Sequence, residues 1–181
     1  FSSKSDEWAT PQKLFDKLNG FYNFTLDPCA NANTAKCTKF YSLQDDGLSK
    51  SWANENVFIN PPYSNVAGWV EKAYTESTQH GATCVMLIPA RTDTKWFHDY
   101  CLKANEIVFI KGRLKFGNAK NAAPFPSMIV VFNKILDSLD SKVLHIIDKI
   151  VKSAKTHRLE PINVGVFPNS FLLIRIISST V

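Results

Sequence analysis

Thr83-Cys84-Val85-Met86-Leu87-Ile88 is the stretch that most limits what this chain can fold into. Continuous apolar runs of this kind belong to strands buried on both faces, as in parallel sheets covered by helices. The segments around it obey that constraint. Before it, Val66, Trp69, Val70, Ala73 and Tyr74 recur at helical spacing behind Asn65, a residue suited to capping, and Gly81 ends the pattern. After it, Trp96, Phe97, Tyr100 and Cys101 line a second helix, and Glu106 to Ile110 and Ser127 to Phe132 read as strands. Upstream, Thr10-Pro11 predicts an N-cap and first-turn proline for a helix carrying Leu14, Phe15 and Leu18, with Gly20 as its stop. Short strands are expected at Phe24-Thr25-Leu26, around Thr38 to Tyr41 and at Val57-Phe58-Ile59. Strand and helix alternate to about residue 132, which predicts an open α/β sheet with helices on both faces.

In such sheets ligands bind beyond the carboxyl ends of the strands. Asp27 to Ala30, Asn60 to Tyr63 and Pro89 to Arg91 all fall at predicted strand ends. The most informative is Asn60-Pro61-Pro62-Tyr63, directly after Val57-Phe58-Ile59. An amide oxygen at Asn60 and the Pro61 carbonyl can each accept one N–H bond, and the Tyr63 ring can stack on a flat heterocycle. Pro61 and Pro62 fix the turn and withdraw two N–H donors that would compete for those acceptors. Such a turn suits holding a planar, conjugated amine while its nitrogen takes up a methyl group. A Pro-Pro turn with an ordinary Asn cap is the bland alternative.

The rest of the chain bounds the partners. Its 181 residues suffice for one domain with a real core. Residues 1–135 are expected to form the catalytic domain. Residues 136–181 are expected to form an extension with an amphipathic helix (Leu139, Val143, Ile146, Ile147, Ile150, Val151) and two β-like runs, near Ile162–Phe167 and Phe171–Ile177. The net charge is +5, and between Lys103 and Lys120 five cations face Glu106 alone. Laced with Phe109, Phe116 and Phe125, that stretch suits a polyanion with stackable bases, although charge runs are commonly just solvated faces. Lys111, Arg113 and Lys115 alternate as they would along one face of a strand or loop tracking a DNA backbone. Arg91 is a further candidate for phosphate, and Asp93 for capping the next helix. The four cysteines lack paired zinc spacing, so no metal is expected. No apolar run reaches membrane-spanning length, and no signal-peptide core opens the sequence; a bacterial or phage-infected cytoplasm is the expected setting.

Several motifs in order resemble the phage-type DNA N-6-adenine methyltransferases, a Dam-like family. They are Asp6-Glu7-Trp8-Ala9-Thr10-Pro11, Leu26-Asp27-Pro28-Cys29-Ala30 with Lys36-Cys37, and Asn60-Pro61-Pro62-Tyr63-Ser64. Leu87-Ile88-Pro89-Ala90-Arg91-Thr92-Asp93-Thr94, Gly112-Arg113-Leu114-Lys115-Phe116 and Ala123-Pro124-Phe125-Pro126-Ser127 complete the series, which spans residues 6–132. The resemblance implies a Rossmann-like fold, S-adenosylmethionine as donor and double-stranded DNA as partner, with adenine flipped from the stack onto Tyr63. It departs from the wider methyltransferase pattern in lacking a glycine-rich loop after the first strand, where Asp27-Pro28-Cys29-Ala30 stands instead. Within it, Asp27 is the expected polar contact to the donor, beside Cys29 and Ala30. Thr10 and Pro11 are expected near the donor's methionine end, though a plain helix N-cap would look the same. Asp46, with Asp45, could meet the donor's ribose or adenine, or simply make a turn. Phe116 and Phe125 are candidate walls of a base pocket. The Asn60 turn also serves other planar amines, so a protein glutamine or RNA base is the alternative substrate. A non-catalytic DNA-binding relic of the fold is the alternative class.

Overall fold

A computed structural model describes residues 8–117, 119–133 and 173–178. The segment predicted as an amphipathic helix between Leu139 and Val151, and the β-like run near Ile162–Phe167, lie outside the described residues. Among the described residues, ten α-helices and strands appear in order: α1 (Gln12–Tyr22), β1 (Leu26–Asp27), β2 (Lys39–Phe40), β3 (Asn56–Ile59), α2 (Val66–His80), β4 (Thr83–Pro89), α3 (Lys95–Asp99), β5 (Glu106–Lys111), β6 (Ser127–Asn133) and β7 (Leu173–Ser178). The strands form one sheet in the order β2-β1-β3-β4-β6-β5-β7. All run parallel except β6, which lies antiparallel between β4 and β5. β7 adds in parallel to β5 at one edge, so part of the expected extension completes the sheet.

Every residue of β4 is buried, as its apolar run requires. Alternate side chains feed two layers. Cys84, Met86 and Ile88 pack with Val66, Trp69, Val70 and Ala73 of α2, while Val85 and Leu87 pack with Leu14 and Phe15 of α1. This two-layered cover and the single reversed strand make the fold Rossmann-like. Cys84 and Cys101 are buried free thiols in the α2 layer, behaving as small hydrophobes.

Two helix ends differ from expectation. α1 runs through Gly20 to Tyr22 and stops at Asn23, which takes a left-handed φ of 49° and returns its N–H to the Asn19 carbonyl. Gly20 is exposed with open space around it, so nothing there forces a stop. Pro11, not Thr10, occupies the N-cap position of α1, and the Thr10 side chain caps nothing. Asn65 caps α2 as expected, accepting from Gly68 N at 3.3 Å, and Gly81 ends it at φ 72°. Thr94 rather than Asp93 precedes α3; its hydroxyl bonds to the Arg91 carbonyl at 2.7 Å, closing the turn that Asp93 was expected to cap.

Candidate active site

Asn60 lies one residue beyond the end of β3, where the sheet delivers it to the carboxyl edge. Its amide nitrogen donates to the Trp8 carbonyl and, at 3.0 Å, to the Thr10 hydroxyl. Its amide oxygen accepts from the Tyr63 hydroxyl at 3.3 Å. The Pro62 carbonyl closes the following turn by accepting from Asn65 N at 3.1 Å, whereas the Pro61 carbonyl accepts no hydrogen bond from the described residues. Burial, and secondarily the neighbouring Cys29 sulfur, raise the Tyr63 phenol, so it stays a neutral donor at any physiological pH.

An aromatic cluster stands over this turn. Trp8 stacks on Tyr63 with centroids 6.2 Å apart and planes 16° from parallel. Phe125 stands edge-on to both rings, at 5.1 and 5.2 Å, and Phe116 edge-on at 5.4 and 6.4 Å. Phe116 and Phe125 come from the 112–126 connection between β5 and β6. That connection is pinned to the chain before α1 by Gly117 N bonding to the Ala9 carbonyl at 2.7 Å. Gly112 and Gly117 in it hold φ values of 87° and 51°, which glycine adopts without a Cβ penalty.

The turn after β1 abuts the Asn60 turn, with Cys29 Sγ beside the main-chain N–H of Asn60. Asp27 ends β1 with 4% of its surface exposed. Its carboxylate accepts from Lys36 N at 3.0 Å, has the Cys29 N–H nearby, and has no salt-bridge partner among the described residues. Burial raises its pKa to about 6, against the lowering effects of those two N–H groups and the Lys36 charge. Burial, then the Asp27 charge, pushes the Cys37 thiol up to about 12. The loop after β2 closes over this turn: Ala30 N bonds to the Tyr41 carbonyl at 3.1 Å, and Tyr41 N to the Asp27 carbonyl at 3.0 Å.

The remaining candidates divide. Asp45 is consumed locally, accepting from Ser42 N and Oγ at 2.8 and 2.7 Å, while Asp46 is exposed at φ 51°. Arg91, Lys111, Arg113 and Lys115 are all exposed, whereas Leu114 and Phe116, which alternate with Arg113 and Lys115, are buried, so these last cations face solvent from a loop whose apolar side joins the aromatic cluster. Pro11 stands at the N-cap position of α1, and its carbonyl receives Leu14 N and Phe15 N. Sequence reasoning missed Trp8 as a member of the site. A lone tryptophan beside a helix start carries no signal of its own, and only the fold brings it onto Tyr63. It also missed Glu76, buried in α2 and bonded to Trp52 N (3.0 Å) and Lys72 Nζ (2.6 Å), which anchors the 41–55 segment behind the site.

A Rossmann-like sheet with an Asn-Pro-Pro-Tyr turn at its carboxyl edge and a buried acid beside it defines a methyltransferase. The family described as DNA N-6-adenine-methyltransferase (Dam) matches residues 1–156. The chain is 35% identical over 139 residues to the DNA N-6-adenine-methyltransferase of Haemophilus phage HP1, covering 72% of this chain and 80% of that enzyme. It is 37% identical over 111 residues to the enzyme of the same name from Escherichia phage T1, covering 60% of this chain and 46% of that longer protein. The chain belongs to the DNA N-6-adenine-methyltransferase family.

Proposed function

We propose that this chain methylates the exocyclic amine of adenine in double-stranded DNA with Asn60 as the acceptor that prepares the nitrogen, using S-adenosylmethionine. Family membership supplies the reaction, and the oriented Asn60 amide carries the residue assignment. When bound, S-adenosylmethionine supplies an electrophilic methyl group on a sulfonium sulfur. The site suits such a donor: Asp27 is a buried carboxylate short of cationic partners, complementary to an ammonium or to ribose hydroxyls. Asp27, Cys29, Ala30, Thr10 and Pro11 are the residues that would hold it, with Asp46 at the rim.

Adenine's amino lone pair is delocalised into the ring, so its nitrogen is a poor nucleophile. Asn60 Oδ1 and the Pro61 carbonyl accept hydrogen bonds from its two N–H groups and favour the pyramidal nitrogen, whose lone pair can then form the N–C bond as the S–C bond breaks to leave a thioether; the methylated amine afterwards loses one proton to water. This is positioning plus preorganised electrostatics, without a covalent intermediate. Tyr63 holds the flipped base by stacking. The Trp8 indole stacks on the Tyr63 ring, so an entering base displaces the indole while the Trp8 carbonyl and the Thr10 hydroxyl keep their hold on the Asn60 amide. Lys111, Arg113, Lys115 and Arg91 meet phosphates; Phe116 and Phe125 wall the pocket. Incubation with labelled donor and plasmid DNA, followed by digestion to nucleosides, is expected to give N6-methyladenine. Label in protein or RNA alone would shift the reading to another planar amine.

A further inference from the structure

Ser127 opens β6 with 1% of its surface exposed, and its hydroxyl has no hydrogen-bond partner among the described residues. A buried hydroxyl left that way is costly and calls for an explanation. Its location offers one. Along β6, Ile129 and Val131 pack in the layer that holds Leu114 and Phe116, with Trp8 and Phe125 against it, and Ser127 shares their face by alternation. Phe58, two residues before Asn60, lies in that same layer. β4 separates β3 from β6, so two strand spacings, ~10 Å, lie between the positions of Asn60 and Ser127. The registers Ile59 to Met86 and Ser127 to Pro89 set Ser127 farther out along the carboxyl edge, by ~7 Å. The aromatic cluster spans this interval, with Tyr63 three residues after Asn60 and Phe125 two before Ser127.

We propose that Ser127 positions the target base, its hydroxyl donating to a ring nitrogen of the adenine whose amine Asn60 holds. The proposal rests on the reading of Asn60 given above. It assigns the two ends of one flat heterocycle to two polar side chains, with aromatic rings between them. The hydrogen bond would be made only when the base is in place, which accounts for a hydroxyl without a partner among the described residues.

The test uses the full chain, labelled donor and DNA made with adenine or with its 1-deaza, 3-deaza or 7-deaza analogue throughout. Ser127→Ala should lower kcat/KM on adenine DNA about 10-fold. On one of the three analogues wild type and variant should become equal, because the nitrogen that receives the bond is gone. Ser127→Ala should melt no lower than wild type, since it removes an unsatisfied group, and the near-isosteric Ser127→Cys should fall between the two in activity. Full activity of Ser127→Ala, or an equal deficit on all three analogues, would overturn the assignment. Asn60→Ala run in parallel separates the causes. If that variant is inactive while Ser127→Ala is unimpaired, only the Ser127 role fails; if it is active, the reading of the site fails and this role with it.

Discussion

A main-chain carbonyl has no proton to give, so the Trp8 oxygen can face only the nitrogen of the Asn60 amide, and the amide oxygen must point the other way. Thr10 reinforces that orientation from a buried position. Thr10→Val should therefore lower kcat about 10-fold while Thr10→Ser stays near wild type, because only the hydroxyl carries the bond; equal losses in both would make its contribution packing alone. Asp27 adds a pH dependence. Its carboxyl binds a proton more tightly in the folded chain than in the unfolded one, so ionisation costs stability. Stability should fall as pH rises from 3.8 to about 6, with the full penalty, on the order of 3 kcal/mol, present above that window. Asp27→Asn should raise Tm at neutral pH, flatten that slope and weaken donor binding in calorimetry; an unchanged slope would contradict the assignment. The place of Asn60 at a strand end was legible in the sequence because the apolar run Val57-Phe58-Ile59 leads straight into it. Its partners Trp8 and Thr10 lie 52 and 50 positions away, where no local pattern reaches.

Between elements, the proposed donor side of the site depends on two loops meeting at one glycine. A Cβ on Gly47 would lie 1.9 Å from the Pro28 carbonyl oxygen and 3.2 Å from the Trp69 ring. The Trp52 indole N–H bonds to the Gly47 carbonyl at 3.0 Å, and the buried Glu76 holds Trp52 N, so the loop has little freedom to retreat. Gly47→Ala should cost about 1–3 kcal/mol, as overpacking does, and lower Tm and donor affinity together; a variant with unchanged Tm would show that the loop yields freely. Asp46-Gly47 was readable as a turn, but not as a close approach to a chain nineteen residues earlier. Likewise the apolar runs announced β3, β4 and β6 as strands. They did not announce that β6 would insert antiparallel between β4 and β5, since pairing order is set by tertiary contacts that alternation does not encode.

Across the molecule, positive charge is concentrated where the pocket's outer loop turns to solvent. Lys111, Arg113 and Lys115 point outward while Leu114 and Phe116 anchor the loop beneath them. Replacing all three cations with Gln should weaken DNA binding and reduce the slope of log affinity against log salt by roughly 1 per charge removed. An unchanged slope would place the DNA backbone elsewhere. The two-layer sheet and the place of the Asn60 turn at its carboxyl edge were readable from residue pattern. Of the aromatic cluster, Tyr63, Phe116 and Phe125 were readable and Trp8 was not, because only the fold brings that residue onto the Tyr63 ring. The most direct test of the central claim is the single-turnover rate of methyl transfer by Asn60→Ala, measured alongside its affinities for donor and DNA. The rate should fall about 100-fold or more while both affinities hold within about three-fold. A rate near wild type, or one lost only in step with binding, would contradict the role given to the Asn60 amide.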